Sequence, residues 1–295
     1  MAAGDRLVPP GALAELIALD GGRVRTLRAG RAGAGPPVVL VHGGGSDNAA
    51  ISWYRALPAL AADREVLALD LPGFGGTEGI APLGRPEAMA DLVARWMAAL
   101  GVPSAVVCGV SMGGDVVLNL ALRHPDLVRG LVLVAPGGLV DRLGSPLAQR
   151  AAWLATRLPD PVLLPLVRLA NRFTRTALRA MVHDPATLPP EVVEEFVREA
   201  RAPGGSLGYA RYNQATVGRT AMTNSLLGSV HRIGSPALLL HGDRDPLVPL
   251  AGSRAAAAAM PGARLVVLSG VGHWAQLEAS DRFLAEVRAF LVGLG

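Results

Sequence analysis

Ser111 stands in Gly109-Val110-Ser111-Met112-Gly113, between an apolar run at 105–108 and a segment of helical spacing at 115–124. Gly-x-Ser-x-Gly at a strand-to-helix junction marks a sharp turn that strains the serine backbone and lifts its hydroxyl above the sheet. Gly109 and Gly113 are expected there because neighbouring backbone passes too close for a side chain. A serine hydroxyl is a weak nucleophile until an imidazole takes its proton. The imidazole in turn needs a carboxylate to fix its tautomer and stabilise its cation. His273, in Gly270-Val271-Gly272-His273-Trp274, is the candidate base, and Asp243 or Asp245, in His241-Gly242-Asp243-Arg244-Asp245, the candidate acid. The oxyanion of such a reaction needs preorganised N–H donors. Met112, after the nucleophile, and Gly44, in His42-Gly43-Gly44-Gly45, are placed to give them.

These residues need elements to carry them. Apolar runs at 38–41, 66–69, 105–108, 131–134, 237–240 and 264–268 read as buried strands, and 22–29 as a partly exposed one. Helical spacing covers 48–62, 86–100, 115–124, 252–260 and 280–291. Strands alternating with helices predict an α/β fold with a mostly parallel central sheet and helices on both faces. In such a sheet the loops at the carboxyl ends of the strands share the edge where ligands bind. The Gly-rich loop, Ser111, the acid loop and His273 therefore converge.

The alternation stops between 137 and 228. That stretch is helical in spacing, Arg-rich, broken by prolines, and striped with Leu154, Leu158, Leu163, Leu166, Leu169 and Phe173. It reads as a helical insertion that buries its own small core and forms a lid, with a membrane-surface helix over 147–180 as the lesser alternative. The expected organisation is a core of 1–136 and 229–295 with a cap of 137–228.

Composition excludes several classes. A chain of 295 residues, 51% apolar, suits one large α/β domain rather than disorder. All 28 basic residues are Arg, set against 24 acids, and they are scattered, which reads as a solvated surface and not a nucleic-acid footprint. The one cysteine, Cys108, allows no intramolecular disulfide, suits a reducing compartment and reads as a small buried hydrophobe. No signal-like start and no apolar run near the roughly 20 residues of a membrane span are present, so a soluble, cytoplasmic protein is expected. No His/Cys/Glu cluster has metal-ligand spacing, and Gly43-Gly44-Gly45 lacks the Gly-Lys-Ser/Thr of a phosphate loop. Neither a metal nor a cofactor is expected. His42 and His241 read as loop anchors. The expected partner is a small-molecule substrate, and the sequence is compatible with a homodimer.

Taken together, these motifs resemble the α/β-hydrolase superfamily over nearly the whole chain. Within it, five stretches are similar to the meta-cleavage product hydrolases, which break a carbon–carbon bond in ring-cleavage products. They are His42-Gly43-Gly44-Gly45, Asp70-Leu71-Pro72-Gly73-Phe74-Gly75, Ser111-Met112-Gly113-Gly114, Ala135-Pro136-Gly137-Gly138 and Gly272-His273-Trp274-Ala275-Gln276-x-Glu278. The frame Gly242-x-x-Asp245-x-x-Val248-Pro249 resembles the family's acid turn and selects Asp245, leaving Asp243 as a turn former. The resemblance implies substrate contacts from Gly43, Val110 and Trp274. It also offers Arg198 as the nearest match to a cap arginine that holds a substrate carboxylate, against the plainer reading of a solvated helix arginine. Val110 stands where that subfamily usually has Asn, and Ser46-Asp47-Asn48 where it usually has Pro-Gly-Ala. Two enzymatic readings result: a serine hydrolase of a small, largely apolar ester or carbonyl compound, and a carbon–carbon bond hydrolase of dienol-ketones. Dehalogenase and epoxide hydrolase chemistry would need Asp in place of Ser111. A ligand-binding module without turnover is the reading from another class, and the intact Ser-Asp-His set argues against it.

Overall fold

Val38–Val41 (β3), Val66–Leu69 (β4), Ala105–Val110 (β5) and Ala237–Gly242 (β7) are buried at every residue, as strands covered on both faces must be. In the computed structural model, which describes residues 6–31, 33 and 35–294, they join Leu13–Leu19 (β1), Gly22–Ala29 (β2), Val128–Val134 (β6) and Ala263–Leu268 (β8). The eight form one sheet in the order β1-β2-β4-β3-β5-β6-β7-β8. Only β2 runs against its neighbours. Successive residues of a strand face opposite sides. Val38 and Leu40 accordingly pack with Trp53, Leu57 and Phe283 on one face, while Val39 and Val41 pack with Val93, Trp96 and Val117 on the other.

Two elements differ from the sequence reading. β1 has no counterpart there, because Leu13-Ala14-Glu15-Leu16 is rich in helix formers and lacks alternation. The hairpin signal lies in Asp20-Gly21, whose φ angles of 52° and 79° suit a two-residue turn closing Leu19 against Gly22. The single helix expected at 48–62 is two, Ala49–Ser52 (α1) and Ala56–Leu60 (α2). Pro58 has no N–H to give to the carbonyl of Tyr54, so the ladder is interrupted.

Pro86–Ala99 (α3) and Met112–Arg123 (α4) cover one sheet face. Between β6 and β7 the chain runs through Pro146–Thr156 (α5), Asp160–Ala170 (α6), Thr174–Met181 (α7), Pro190–Arg201 (α8) and Leu207–Thr216 (α9). Among the described residues this insertion adds no strand to the sheet. Proline opens α5, α6 and α8, where its missing N–H costs nothing. Leu250–Ala259 (α10), Ala275–Glu278 (α11) and Ser280–Val292 (α12) complete the chain. From β3 the chain steps outward to β4 and then returns to β5 on the other side, so winding reverses between β3 and β5. In an open parallel sheet that crevice is where ligands bind, and it lies between the Gly-rich loop and Ser111.

Candidate active site

Ser111 joins β5 to α4 with φ 52° and ψ −120°, a strained conformation for a residue with a side chain. The glycines around it are sterically required. A Cβ on Gly109 would sit 2.3 Å from the Gly113 carbonyl oxygen, and one on Gly113 would sit 2.3 and 2.4 Å from the carbonyls of Val41 and His42. The turn is fastened from both sides. Ser111 donates its N–H to Val134 (3.0 Å), and its carbonyl accepts from Gly137 (2.7 Å). Met112 is the first residue of α4, so its N–H is among those without an intrahelical acceptor.

His273 and Asp245, the candidate base and acid, are in direct contact. His273 Nδ1 donates to Asp245 Oδ2 at 2.8 Å, which leaves Nε2 free to take a proton. The other Asp245 oxygen accepts the N–H groups of Leu247 (2.8 Å) and Val248 (3.0 Å). Asp243 instead accepts from Gly270 at the protein surface. His241 is more than a loop anchor. Its Nε2 donates to the Val248 carbonyl (2.9 Å) and lies 3.3 Å from Asp245 Oδ2, while Ser253 holds Nδ1 (2.8 Å). Burial opposes the Asp245 charge, but hydrogen bonds from His241 and His273 hold the carboxyl well below the usual carboxylate range. Among the described residues no hydrogen bond joins Ser111 Oγ to His273. In unliganded sites such bonds are often long and tighten only with substrate.

The His273 loop is clamped from a side that sequence spacing does not reveal. Glu278 accepts the N–H of Gly272 on one oxygen and that of His183, in the insertion, on the other, both at 2.8 Å. His273 N–H donates to the Met181 carbonyl, again in the insertion, at 2.8 Å.

The Gly-rich loop lies against Ser111. A Cβ on Gly43 would be 3.5 Å from Ser111 Cβ, and one on Gly44 would run into the Tyr209 ring at 2.3 Å. Asp47 shapes this loop, accepting from Gly43 N–H (2.9 Å), Asn48 N–H (2.8 Å) and the Ser52 hydroxyl (2.5 Å). Burial pushes its carboxyl up to about 7. Among the described residues the Gly44 N–H donates to no protein group. The Met112 N–H likewise has no protein acceptor among the described residues.

Val110, Phe196 and Trp274 belong to one buried cluster, with the Phe196 and Trp274 rings 5.5 Å apart edge to face. Arg198 lies on α8 and pairs with Glu195, whose carboxylate also receives Asn48 Nδ2 and Leu7 N–H. On the far side of α4, Asp115 accepts from Tyr212 Oη (2.8 Å), Asn224 (2.5 Å) and Asn119 (3.0 Å), tying the insertion to the serine's own helix. Cys108 is buried, which pushes its thiol up and leaves it no nucleophilic part.

A strand–serine–helix turn at the switch point of a doubly wound sheet, with a His–Asp pair at the same edge, defines a hydrolase of the nucleophile-elbow class. The chain belongs to the α/β hydrolase fold family, whose model matches residues 36–280. It is 30% identical over 264 residues to a 2-hydroxymuconate semialdehyde hydrolase of Pseudomonas sp. strain CF600, covering 88% of each chain. It is also 30% identical over 258 residues to a dihydrolipoyllysine-residue acetyltransferase component of the acetoin cleaving system of Pseudomonas putida, covering 87% of this chain but 64% of that longer protein. Among solved structures, a bacterial membrane phospholipase A superimposes with a TM-score of 0.79 at 26% identity, over 96% of this chain and 87% of that one. Among the described residues no helix is long and apolar enough to cross a membrane.

Proposed function

We propose that the protein is a serine hydrolase acting on a small, largely apolar ester or carbonyl compound, with residues 137–228 as a cap over the site. Ser111 attacks the carbonyl carbon. His273 Nε2 takes the hydroxyl proton and returns it to the leaving group. Asp245 holds the ring in the Nδ1–H tautomer and stabilises its cation. The N–H groups of Gly44 and Met112 receive the developing oxyanion, each such donor typically contributing about 2.7–4 kcal/mol at the transition state. Water then releases the acyl group by the same proton path in reverse. The observation that carries the reading is the 2.8 Å His273–Asp245 contact at the same sheet edge as a strained serine. Val110, Phe196 and Trp274 support an apolar acyl group.

Carbon–carbon bond hydrolysis is the second reading, favoured by the likeness to the 2-hydroxymuconate semialdehyde hydrolase. Glu195 and Glu199, buried in the wall that carries Arg198, weigh against that arginine receiving a substrate carboxylate and so favour the ester reading. The test is Ser111→Ala assayed on p-nitrophenyl butyrate and on a dienol-ketone. We expect turnover of the preferred substrate to fall at least about 10⁴-fold, with the circular dichroism spectrum unchanged. Near-native turnover in that variant would overturn the assignment, and faster loss of the dienol-ketone than of the ester by the unaltered enzyme would select the second reading.

A further inference from the structure

The outer surface of the insertion is unlike the rest of the molecule. Of the large apolar side chains left exposed, Leu143, Leu147, Leu154, Val162, Leu166, Leu169 and Phe173 fall within 31 consecutive residues. α6 reads Asp-Pro-Val-Leu-Leu-Pro-Leu-Val-Arg-Leu-Ala, yet none of its residues is buried. Val162, Leu166, Leu169 and Phe173 are spaced four, three and four apart, so they form one stripe along a helical surface. Water would ordinarily drive such a stripe against a partner, and contiguous exposed apolar surface of this kind marks a site of interaction.

Charge indicates which partner. Arg168, Arg172 and Arg201 line one open cleft of about 780 Å³ beside the stripe. None of the three pairs with a carboxylate among the described residues. Across 143–180 there are six arginines, and the single acid, Asp160, is already held by Arg211. With cations that hold no carboxylate flanking an exposed apolar stripe, the face is complementary to an anionic surface that has an apolar interior beneath it. A two-fold pairing of copies through this face would bring the same unpaired arginines together, since such an interface presents one patch to itself.

We propose that this face docks the protein on an anionic lipid bilayer: Val162, Leu166, Leu169 and Phe173 enter the headgroup boundary while Arg168, Arg172 and Arg201 engage lipid phosphates. The pattern is that of an interfacial helix, apolar on one side and arginine-flanked, which lies in the membrane plane without crossing it. Arginine near an anionic surface strengthens binding about fivefold per residue, so removing three weakens it about a hundredfold.

The test is sedimentation of the full chain with vesicles of phosphatidylcholine alone and of phosphatidylcholine mixed with phosphatidylglycerol. The protein is expected to pellet with the mixed vesicles, to be released by high salt, and to stay in solution with phosphatidylcholine alone. The combined Arg168→Gln, Arg172→Gln, Arg201→Gln variant should bind about a hundredfold more weakly, and Leu166→Glu with Phe173→Glu should abolish binding. Both variants should keep the hydrolytic rate on a soluble ester, which shows that they are folded. Failure to pellet with either vesicle would overturn the proposal, as would equal pelleting with both or undiminished binding by the arginine variant. A dimer in sedimentation velocity that Leu166→Glu with Phe173→Glu converts to monomer, without vesicle binding, would also overturn it and make the face a contact between copies.

Discussion

Replacing Asp115 by Asn tests how the insertion is fastened to α4, the helix that follows Ser111. Asp115 is fully buried, and burial pushes its carboxyl up to about 7 despite hydrogen bonds from Asn224, Tyr212 and Asn119; Glu87 adds to the rise. The fold therefore binds the proton more tightly than the unfolded chain, whose aspartate titrates near 3.8. Asp115 adds stability that is fully present below about pH 4 and is lost as pH rises through about 7. Between pH 5 and pH 8 that loss comes to about 2–3 kcal/mol. Asp47 and Glu199, also raised to about 7, contribute in the same direction but are common to both proteins and cancel in the comparison. The assay is urea unfolding at the two pH values, with equal m-values as the check on two-state behaviour. Asp115→Asn should lose about 2–3 kcal/mol less than the unaltered protein between pH 5 and pH 8. An identical loss in both would show that Asp115 is not a proton-holding group in the fold, and the account of the latch would fail.

Glu278→Ala removes the acceptor shared by Gly272 and His183, each bond to a charged group being worth about 1.5–3 kcal/mol. It should lower kcat on a soluble ester about 10- to 100-fold with little change in KM, since the His273 loop loses its clamp; a pure KM effect would contradict this. Gly113→Ala forces a methyl group against the carbonyls of Val41 and His42 and should cost about 1–3 kcal/mol or more, read as a fall in Tm. Wild-type stability in that variant would refute the packing argument for the elbow.

Much of the site is legible in the sequence because each part sits at the end of a short apolar strand. Val38–Val41, Ala105–Val110 and Ala237–Gly242 are recognisable as buried runs, and the loops leaving their carboxyl ends must share one edge of the sheet. The parts that are not legible depend on distance along the chain or on competing local preference. β1 is composed of helix formers and is a strand because β2 offers it a ladder, so tertiary pairing overrides propensity. Asp115 lies about a hundred residues before Tyr212 and Asn224 and shares no pattern with them; only the tertiary fold of the insertion brings them to α4. The second histidine on Asp245 does leave a local trace, because His241 precedes the acid by four residues on the same turn. So does the ion pair of Arg198, since Glu195 stands three residues before it on the same helix.

The clamps on the insertion also dictate how it can move. One margin is stitched to the His273 loop through Met181 and His183, and another is bolted to α4 through Tyr212 and Asn224. A rigid swing of the whole insertion would break both at once. The third margin runs beside Gly45, Ser46 and Gly73 along a cleft of about 290 Å³, and it too is stitched: Ser46 pairs with Ser206 at 2.9 Å, Gly208 donates its N–H to the Gly73 carbonyl at 3.3 Å, and Asn48 Nδ2 donates to Glu195 and Glu199. Sewn on three sides, the insertion yields more readily between its seams than as one block.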